Sequence, residues 1–294
     1  MLNSFSYKSA KATLSFFLLS LFFLTMACDK NTTSPNVNDE ISANQDAAES
    51  VASDLGQNSG GTVDQIADLS TIATAENQLA FTGLAKASAS VKSYDATYNS
   101  SLGVWTISVI RNFNNGQYLA DVERVYQVQF LNSAGDAQMF YVSRGDTADT
   151  VKLDIISGSG KHTSPRLSQE LKDLSGSLVA TNIKSGIMTI NGSYLRSAVD
   201  TLTTMNATRT LDHTLTLTVT NLTCPVGAKD NAYQYLSGTI NGTYNAEASF
   251  INGSGYSNRA ISHEINLVFG EGEAAITING ETYTADIEAG ELTD

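Results

Sequence analysis

The chain has 294 residues, of which 17 are basic and 30 acidic, so its formal net charge is −13. A field of this sign repels nucleic acid and anionic lipid headgroups, and no nucleic-acid partner is expected. A chain of this length can bury a large apolar core without disulfide bonds.

The first 27 residues have the organisation of an export signal. A start with two lysines is followed by thirteen mostly apolar residues from Leu14 to Met26, and the small Ala27 precedes Cys28. A helix that spans a bilayer needs about 20 apolar residues. Residues 1–27 are therefore expected to be a cleaved signal peptide.

The end of this segment, Leu24-Thr25-Met26-Ala27-Cys28, resembles the lipobox of bacterial lipoproteins, although Thr25 stands where the family usually has leucine. The resemblance implies a lipoprotein whose Cys28 thiol carries a diacylglycerol, with acyl chains such as palmitate. It implies a protein anchored to the bacterial cell envelope, expected at the outer membrane on its periplasmic or surface face. An ordinary secretory signal cut near Ala27 is the alternative.

Removal of residues 1–27, which hold two lysines and no acid, leaves 267 residues with 15 basic and 30 acidic side chains, a net charge of −15. With Cys28 acylated, Cys224 is the only remaining thiol. Neither an intramolecular disulfide nor a thiolate metal cluster can then form. No metal and no cofactor are expected.

Two segments precede the sheet-forming part of the chain. Residues 28–38 are polar and are expected to be the lipidated cysteine and its tether. Residues 39–90 form a helical N-terminal segment, in which apolar residues recur at helical spacing up to Leu55 and Gly56 marks a helix end. A second, weaker helical pattern runs from Val63 to Ile72. We expect these helices to plug a sheet that covers their apolar stripes.

Residues 91–294 change to a period of two and are rich in Val, Ile, Thr and Tyr, which is typical of antiparallel strands. The predicted strands are 91–98, 103–113, 118–131, 136–143, 151–156, 176–183, 187–198, 207–221, 234–248, 259–269, 273–278 and 281–288. One short helix is expected from Ser164 to Asp173, with Pro165 at its first position. The predicted fold class is all-β, mainly an antiparallel meander forming a curved sheet or partly closed barrel, with one or two N-terminal helices.

An internal duplication with an offset of fifty residues relates residues 187–221 to residues 237–269. Thr189-Ile190-Asn191-Gly192-Ser193-Tyr194 recurs as Thr239-Ile240-Asn241-Gly242-Thr243-Tyr244, and the same offset carries His213 onto His263. The pattern predicts two copies of a strand-loop-strand unit.

The duplication also supplies the candidate site. Its six residues are inward-facing polar or aromatic positions in the two copies: Arg209, His213, Arg259, His263, Tyr194 and Tyr244. One hypothesis is that they line a polar pocket for an anionic or metal-assisted ligand. The other is that they lie at the rim of the core, with apolar stems on the sheet and polar tips in water.

Recognisable catalytic motifs are absent: the chain has no nucleophile elbow, no zinc-protease motif and no phosphate-binding glycine loop. We therefore expect no enzyme. The first functional hypothesis is a non-enzymatic binding or structural module of the envelope that engages a polysaccharide or protein. The alternative is a carrier that holds a lipid or other apolar ligand in a barrel-like or concave sheet cavity.

Overall fold

The computed structural model describes residues 37–84, 90–114, 118–203, 207–252 and 255–293. The predicted signal peptide, Cys28 and the other residues up to 36 lie outside this range. Two N-terminal helices are present, α1 (Val37–Leu55) and α2 (Thr62–Ile72), followed by a 3₁₀-helix (Gln78–Leu84). No helix among the described residues is long and apolar enough to cross a membrane.

Antiparallel strands make up most of the remaining chain, which confirms the predicted fold class. They are β1 (Ser90–Asn99), β2 (Val104–Asn114), β3 (Leu119–Leu131), β4 (Ala137–Gln138), β5 (Val142–Ser143), β6 (Asp146–Thr147), β7 (Thr150–Thr163), β8 (Leu167–Thr181), β9 (Ile187–Thr203), β10 (Ala207–Pro225), β11 (Ser237–Asn252), β12 (Gly255–Gly270), β13 (Glu273–Ile278), β14 (Glu281–Asp286) and β15 (Glu291–Leu292). A one-turn helix, α3 (Ala232–Tyr235), connects β10 to β11.

The main sheet is a meander. Its thirteen strands pair in the order β1-β2-β3-β7-β8-β9-β10-β11-β12-β13-β14-β15, with β4 beside β3, and β5 and β6 form a separate hairpin. The Asn279-Gly280 turn between β13 and β14 has positive φ angles of 51° and 80°, as a two-residue hairpin requires. Within the described residues, no ladder joins β1 to β15, so the sheet is open.

Residues 42–55 of α1, together with α2, lie on the concave side of this sheet. All eleven residues of α2 are buried, and α1 buries both its alanine-rich stripe and polar residues such as Asp54. Asp54 contacts His213 of β10, whereas Asn44 on the same helix donates to Glu281 of β14. Strands that are far apart in the sheet order therefore cover different parts of α1, which requires a curved sheet.

A similar argument applies to α2. Asp64 near its start pairs with Arg111 of β2, and Ser70 near its end donates to the carbonyl of Pro225 at the end of β10. β10 is therefore contacted by both helices, by α1 at His213 and by α2 at Pro225. The break between them, at Gly56 to Gly61, is where a helix end was predicted, and α1 ends at Leu55.

Residues 164–173 contain no helix, so that prediction is wrong. Pro165 lies in the turn between β7 and β8, and the chain continues as a strand from Leu167. The side chains of Leu167, Gln169 and Leu171 face the core at every second position, as in a strand. A register shift after Leu171 interrupts this alternation, so the sequence did not show the period of two typical of a strand. The predicted strand 136–143 is likewise reduced to the two-residue strands β4 and β5.

Both copies of the duplicated unit form long antiparallel hairpins, but their registers differ. His213 pairs with Ala198, so the offset of fifty would place Ala248 opposite His263; the observed partner is Tyr244, four residues earlier. The second hairpin reverses two residues earlier, and each residue of turn displacement shifts the pairing by two. The copies share strand alternation without being superimposable site by site.

Candidate functional site

Four polar side chains of β8, β9 and β10 face α1 from positions that alternate with core leucines. Arg196 and Asp200 lie opposite Leu215 and Leu211, and Gln169 lies opposite Asp200, so all share the inner face with His213. Each of the four is at most 2 % exposed. Because buried polar groups require partners, this face depends on what α1 offers it.

Asp54 of α1 supplies the central carboxylate. Its Oδ1 lies 2.7 Å from Nε of Arg196 and 3.0 Å from Nε2 of Gln169, and its Oδ2 lies 2.8 Å from Nε2 of His213. Burial by itself would raise the pKa of Asp54, but the charges of His213 and Arg196 outweigh it and lower the pKa below the usual range. Asp54 is therefore ionised in the core.

His213 is held between two carboxylates. Besides Asp54, Oδ2 of Asp200 lies 3.7 Å from its Nδ1, and the ring of Tyr244 stacks on it with 5.2 Å between centroids. Burial disfavours the imidazolium, yet Asp54 and Asp200 together raise the pKa of His213 to about 9. Burial raises the pKa of Asp200 to about 6, against the opposing charge of His213. At neutral pH the cluster thus contains an imidazolium and two carboxylates.

Ser50, His213 and Asp54 superficially resemble a nucleophile, base and acid. Oγ of Ser50 lies 3.4 Å from Nδ1 of His213, but it donates its proton to Asp200. All three side chains are buried, and a protonated imidazole cannot act as the base that such a nucleophile needs. The arrangement is therefore suited to fixing α1 on the sheet rather than to attack on a substrate.

A second buried ion cluster fixes α2. Nη1 of Arg111 lies 2.8 Å from Asp64, its Nη2 pairs with Asp68, and its Nε donates to the carbonyl of Leu84. The hydroxyl of Tyr126 donates to the second oxygen of Asp68. Asp64 and Asp68 are one helical turn apart, so both carboxylates reach one guanidinium.

The structure distributes the six predicted site residues over different environments. In the first copy, Tyr194 and His213 are buried, and Nε of Arg209 lies 3.0 Å from Oδ2 of Asp46 on α1. In the second copy, Tyr244 joins His213, whereas Arg259 and His263 are only half-buried on β12. His263 lines a separate open groove of about 550 Å³ that Arg259 does not line. The separation follows from the sheet order, because β12 lies two strands from β10, the strand whose His213 contacts Asp54 of α1.

A pocket of about 510 Å³ lies between α1, the start of β3, the β7–β8 turn and the last two strands of the sheet. We call it the seam pocket. It is lined by Gln45 and Glu49 of α1, Tyr118, His162 and residues 164–167 around the β7–β8 turn, residues 282–284 of β14, and residues 290–293 at β15. The hydroxyl of Tyr118 donates to Glu291 at 2.9 Å, which bridges the start of β3 to β15. The pocket is thus formed by segments that the open sheet brings together.

The seam pocket presents both donors and acceptors. Nη2 of Arg166 lies 2.7 Å from Oε1 of Glu49, and the hydroxyl of Tyr283 donates to Glu281 at 2.6 Å. Burial raises the pKa of Glu49, with Arg166 opposing and the charge of Glu291 adding to the rise. Its carboxylates, guanidinium, tyrosines and threonine hydroxyls leave it mainly polar.

His162 lies at the inner wall of the seam pocket and is 3 % exposed. Its Nδ1 lies 3.3 Å from Oγ of Ser53, and no hydrogen bond to Nε2 is present within the part of the chain that the structure describes. Burial lowers the pKa of His162 to about 4, and Arg196 adds to this effect, so the ring is neutral at pH 7. A neutral imidazole nitrogen can donate to or accept from a ligand, depending on the tautomer.

Most of these groups were missed from the sequence. Arg196 and Asp200 share the inner parity of β9 with Tyr194, so charged residues at core positions were the available signal. Asp54 was hidden because it lies next to the apolar residues of α1. The seam pocket combines segments more than 200 residues apart, and no local pattern indicates such a site.

Within the described residues, no group of three or more His, Cys, Asp or Glu side chains is placed to hold a metal ion. Comparison with known proteins adds no assignment, because no family model, no curated protein and no solved structure matches this chain.

Proposed function

We propose that this chain is a non-enzymatic binding module of the bacterial cell envelope, anchored by lipid on Cys28, and that its seam pocket binds a saccharide. The observation that carries the proposal is the pocket itself. Its volume of about 510 Å³ lies within the range of roughly 300 to 1,000 Å³ for small-molecule sites.

The chemistry of the pocket supports a saccharide. Sugars present hydroxyls that both donate and accept, together with apolar ring faces. The pocket offers carboxylate acceptors at Glu49 and Glu291, a guanidinium donor at Arg166, and aromatic side chains at Tyr118 and Tyr283. Tyrosine combines an apolar ring with a polar tip, which suits ligands of this mixed kind.

The alternative, a carrier of lipid or another apolar ligand, receives less support. Its natural cavity would be the concave side of the sheet, but α1 and α2 occupy that space, and α2 is buried along its whole length. The seam pocket is lined mainly by polar groups, whereas a carrier needs predominantly apolar walls.

The test is binding of the detergent-purified, full-length lipoprotein to a panel of immobilised oligosaccharides, followed by calorimetric titration with the best ligands. Replacement of Tyr283 by alanine should weaken binding at least tenfold, because it removes an aromatic wall. The matched control is Tyr235→Ala, since Tyr235 is an exposed tyrosine of α3 outside the pocket lining.

Equal losses in the two variants would place the binding site elsewhere. Failure of every saccharide to bind, together with near-stoichiometric lipid in a solvent extract of the purified protein, would favour the carrier.

A further inference from the structure

The charges around the seam pocket are unequally matched. Glu49 is neutralised by Arg166 at 2.7 Å. Glu291, by contrast, receives a hydrogen bond from the neutral phenol of Tyr118, and it has no ion pair with a cation in the described part of the chain. The lining therefore holds two carboxylates, one guanidinium and one neutral imidazole, which leaves one negative charge without a partner.

We infer that the seam pocket selects saccharides that carry a free, protonated amine, and that Glu291 binds the ammonium group. This inference rests on the proposed function. Neutral sugars would bind through the same tyrosines and hydroxyls but more weakly, and acidic sugars would be rejected.

The position of Glu291 favours this role over that of a solvated surface acid. It lies on β15 and is half-buried, its carboxylate is oriented by Tyr118, and it lines the cavity together with Glu49 and His162. Tyr118 donates its only proton to Glu291, so the remaining lone pairs of the carboxylate are available to a ligand. An ammonium has three donors and no acceptor, which complements such a group.

Repulsion between the carboxylates of Glu291 and Glu49 also favours a cationic ligand. The negative charge of Glu291 contributes to the raised pKa of Glu49, after burial. A bound cation would relieve this repulsion and would be attracted by the overall net charge of the mature chain. Uronic or sialic acids would add a third carboxylate to the two already present.

The buried His162 gives the pocket a second polar contact at its inner wall. It is neutral, so it does not repel a cation, and a neutral imidazole that lines the pocket offers a ring nitrogen to a sugar hydroxyl.

The experiment compares three probes on the detergent-purified, full-length lipoprotein at pH 6: glucosamine oligomers, the same oligomers with every amine acetylated, and galacturonic acid oligomers. We expect glucosamine oligomers to bind about tenfold more tightly than the acetylated ones, which is the effect of 1.4 kcal/mol. This ratio should fall as salt rises from 0.05 to 0.5 M, because ion pairs near a surface are screened.

Glu291→Gln should reduce the tenfold preference to about twofold, since the amide keeps an acceptor for Tyr118 but loses the charge. The matched control is Glu271→Gln at an exposed turn, which should retain the preference. Thermal melting of both variants checks that they are folded, and Glu291→Asp, which keeps the charge, should restore part of the preference.

The outcomes separate the two proposals. Binding of the acetylated oligomers with equal or higher affinity than the free amines would overturn the inference and leave the saccharide module standing. A preference that persists in folded Glu291→Gln would also overturn it. Absence of binding by all three probes would count against both.

Discussion

We expect Asp54 to contribute more than any other side chain of α1 to the packing of this helix on the sheet. Its replacement by alanine would remove the carboxylate that Arg196, His213 and Gln169 contact at 2.7, 2.8 and 3.0 Å. Removal of one partner from a buried ion pair costs about 3–5 kcal/mol, because an uncompensated charge is left in the core. His213 can release its proton once Asp54 is absent, so we expect a loss near the lower limit, about 3 kcal/mol.

A loss of this size is measurable by urea unfolding. Trp105 is the only tryptophan and is buried, so its fluorescence reports on the folded sheet without labelling. With roughly 2–4 °C per kcal/mol for a domain of this size, the melting temperature should fall by about 10 °C. The matched control is Asp212→Ala, which breaks an exposed pair with Lys172 and should cost no more than about 1 kcal/mol.

Equal losses in the two variants, or a loss below about 1 kcal/mol for Asp54→Ala, would refute the reasoning. In that case the polar contacts of α1 would contribute no more than surface pairs do, and its apolar stripe would account for the seating of the helix.

Three further results are expected. The pKa of His213 is raised to about 9, so the stabilisation it provides is complete below its unfolded pKa of about 6.5 and is lost as pH rises toward 9. The free energy of unfolding should therefore fall over this window by up to about 3 kcal/mol. His213→Gln should flatten that decline, and an unchanged slope in the variant would contradict the assignment. Gly56→Ala should destabilise by about 1–3 kcal/mol because a Cβ there would lie 2.4 Å from the Cα of Gly290, whereas Gly270→Ala meets nothing within 4 Å and should be nearly neutral in the same urea assay. Cys224 should resist a thiol reagent such as Ellman's reagent in the native protein and react only after unfolding, because burial raises its pKa to about 12; rapid labelling of the folded chain would show that β10 opens at its end.

Several buried carboxyl groups make the free energy of unfolding depend on pH. Burial raises the pKa of Asp46 to about 7, against the charge of Arg209, and that of Asp200 to about 6. Both groups therefore favour the folded state as pH falls toward 4, in the same direction as His213. The lowered pKa of His162 acts in the opposite direction between pH 6.5 and about 4, and that of Asp54 does so below its unfolded value. The most stable range is thus expected on the acidic side of neutrality.

The sequence predicted the buried face of a strand wherever apolar and polar residues alternate without interruption. In β10, leucines at 211, 215 and 217 alternate with threonines, and the predicted face is the buried one. The helix end at Gly56 was also readable, because a periodic apolar pattern stops there. The prediction failed in β8, where a register shift after Leu171 interrupts the period of two that identifies a strand.

The candidate site was less readable, since the duplicated sequence suggested a symmetry that the structure does not keep. His213 and His263 occupy equivalent positions in the two copies, yet only His213 reaches the carboxylates of Asp54 and Asp200. His263 lies on β12, two strands from β10, whereas the two carboxylates belong to α1 and to β9, the neighbour of β10. Periodicity assigns a residue to one face of the sheet, but it does not report which strand faces a helix.

The sequence by itself determined the secondary structure class, the division into a helical segment and a meander, and the inward or outward direction of most side chains, because these follow from local periodicity and turn chemistry. Only the tertiary structure decided which strands face α1 and α2, which acids meet Arg196 and Arg111, and that a pocket forms beside Glu291. Those features depend on how strongly the sheet curves and on contacts between segments far apart in the chain, and neither leaves a repeating signal in the order of residues.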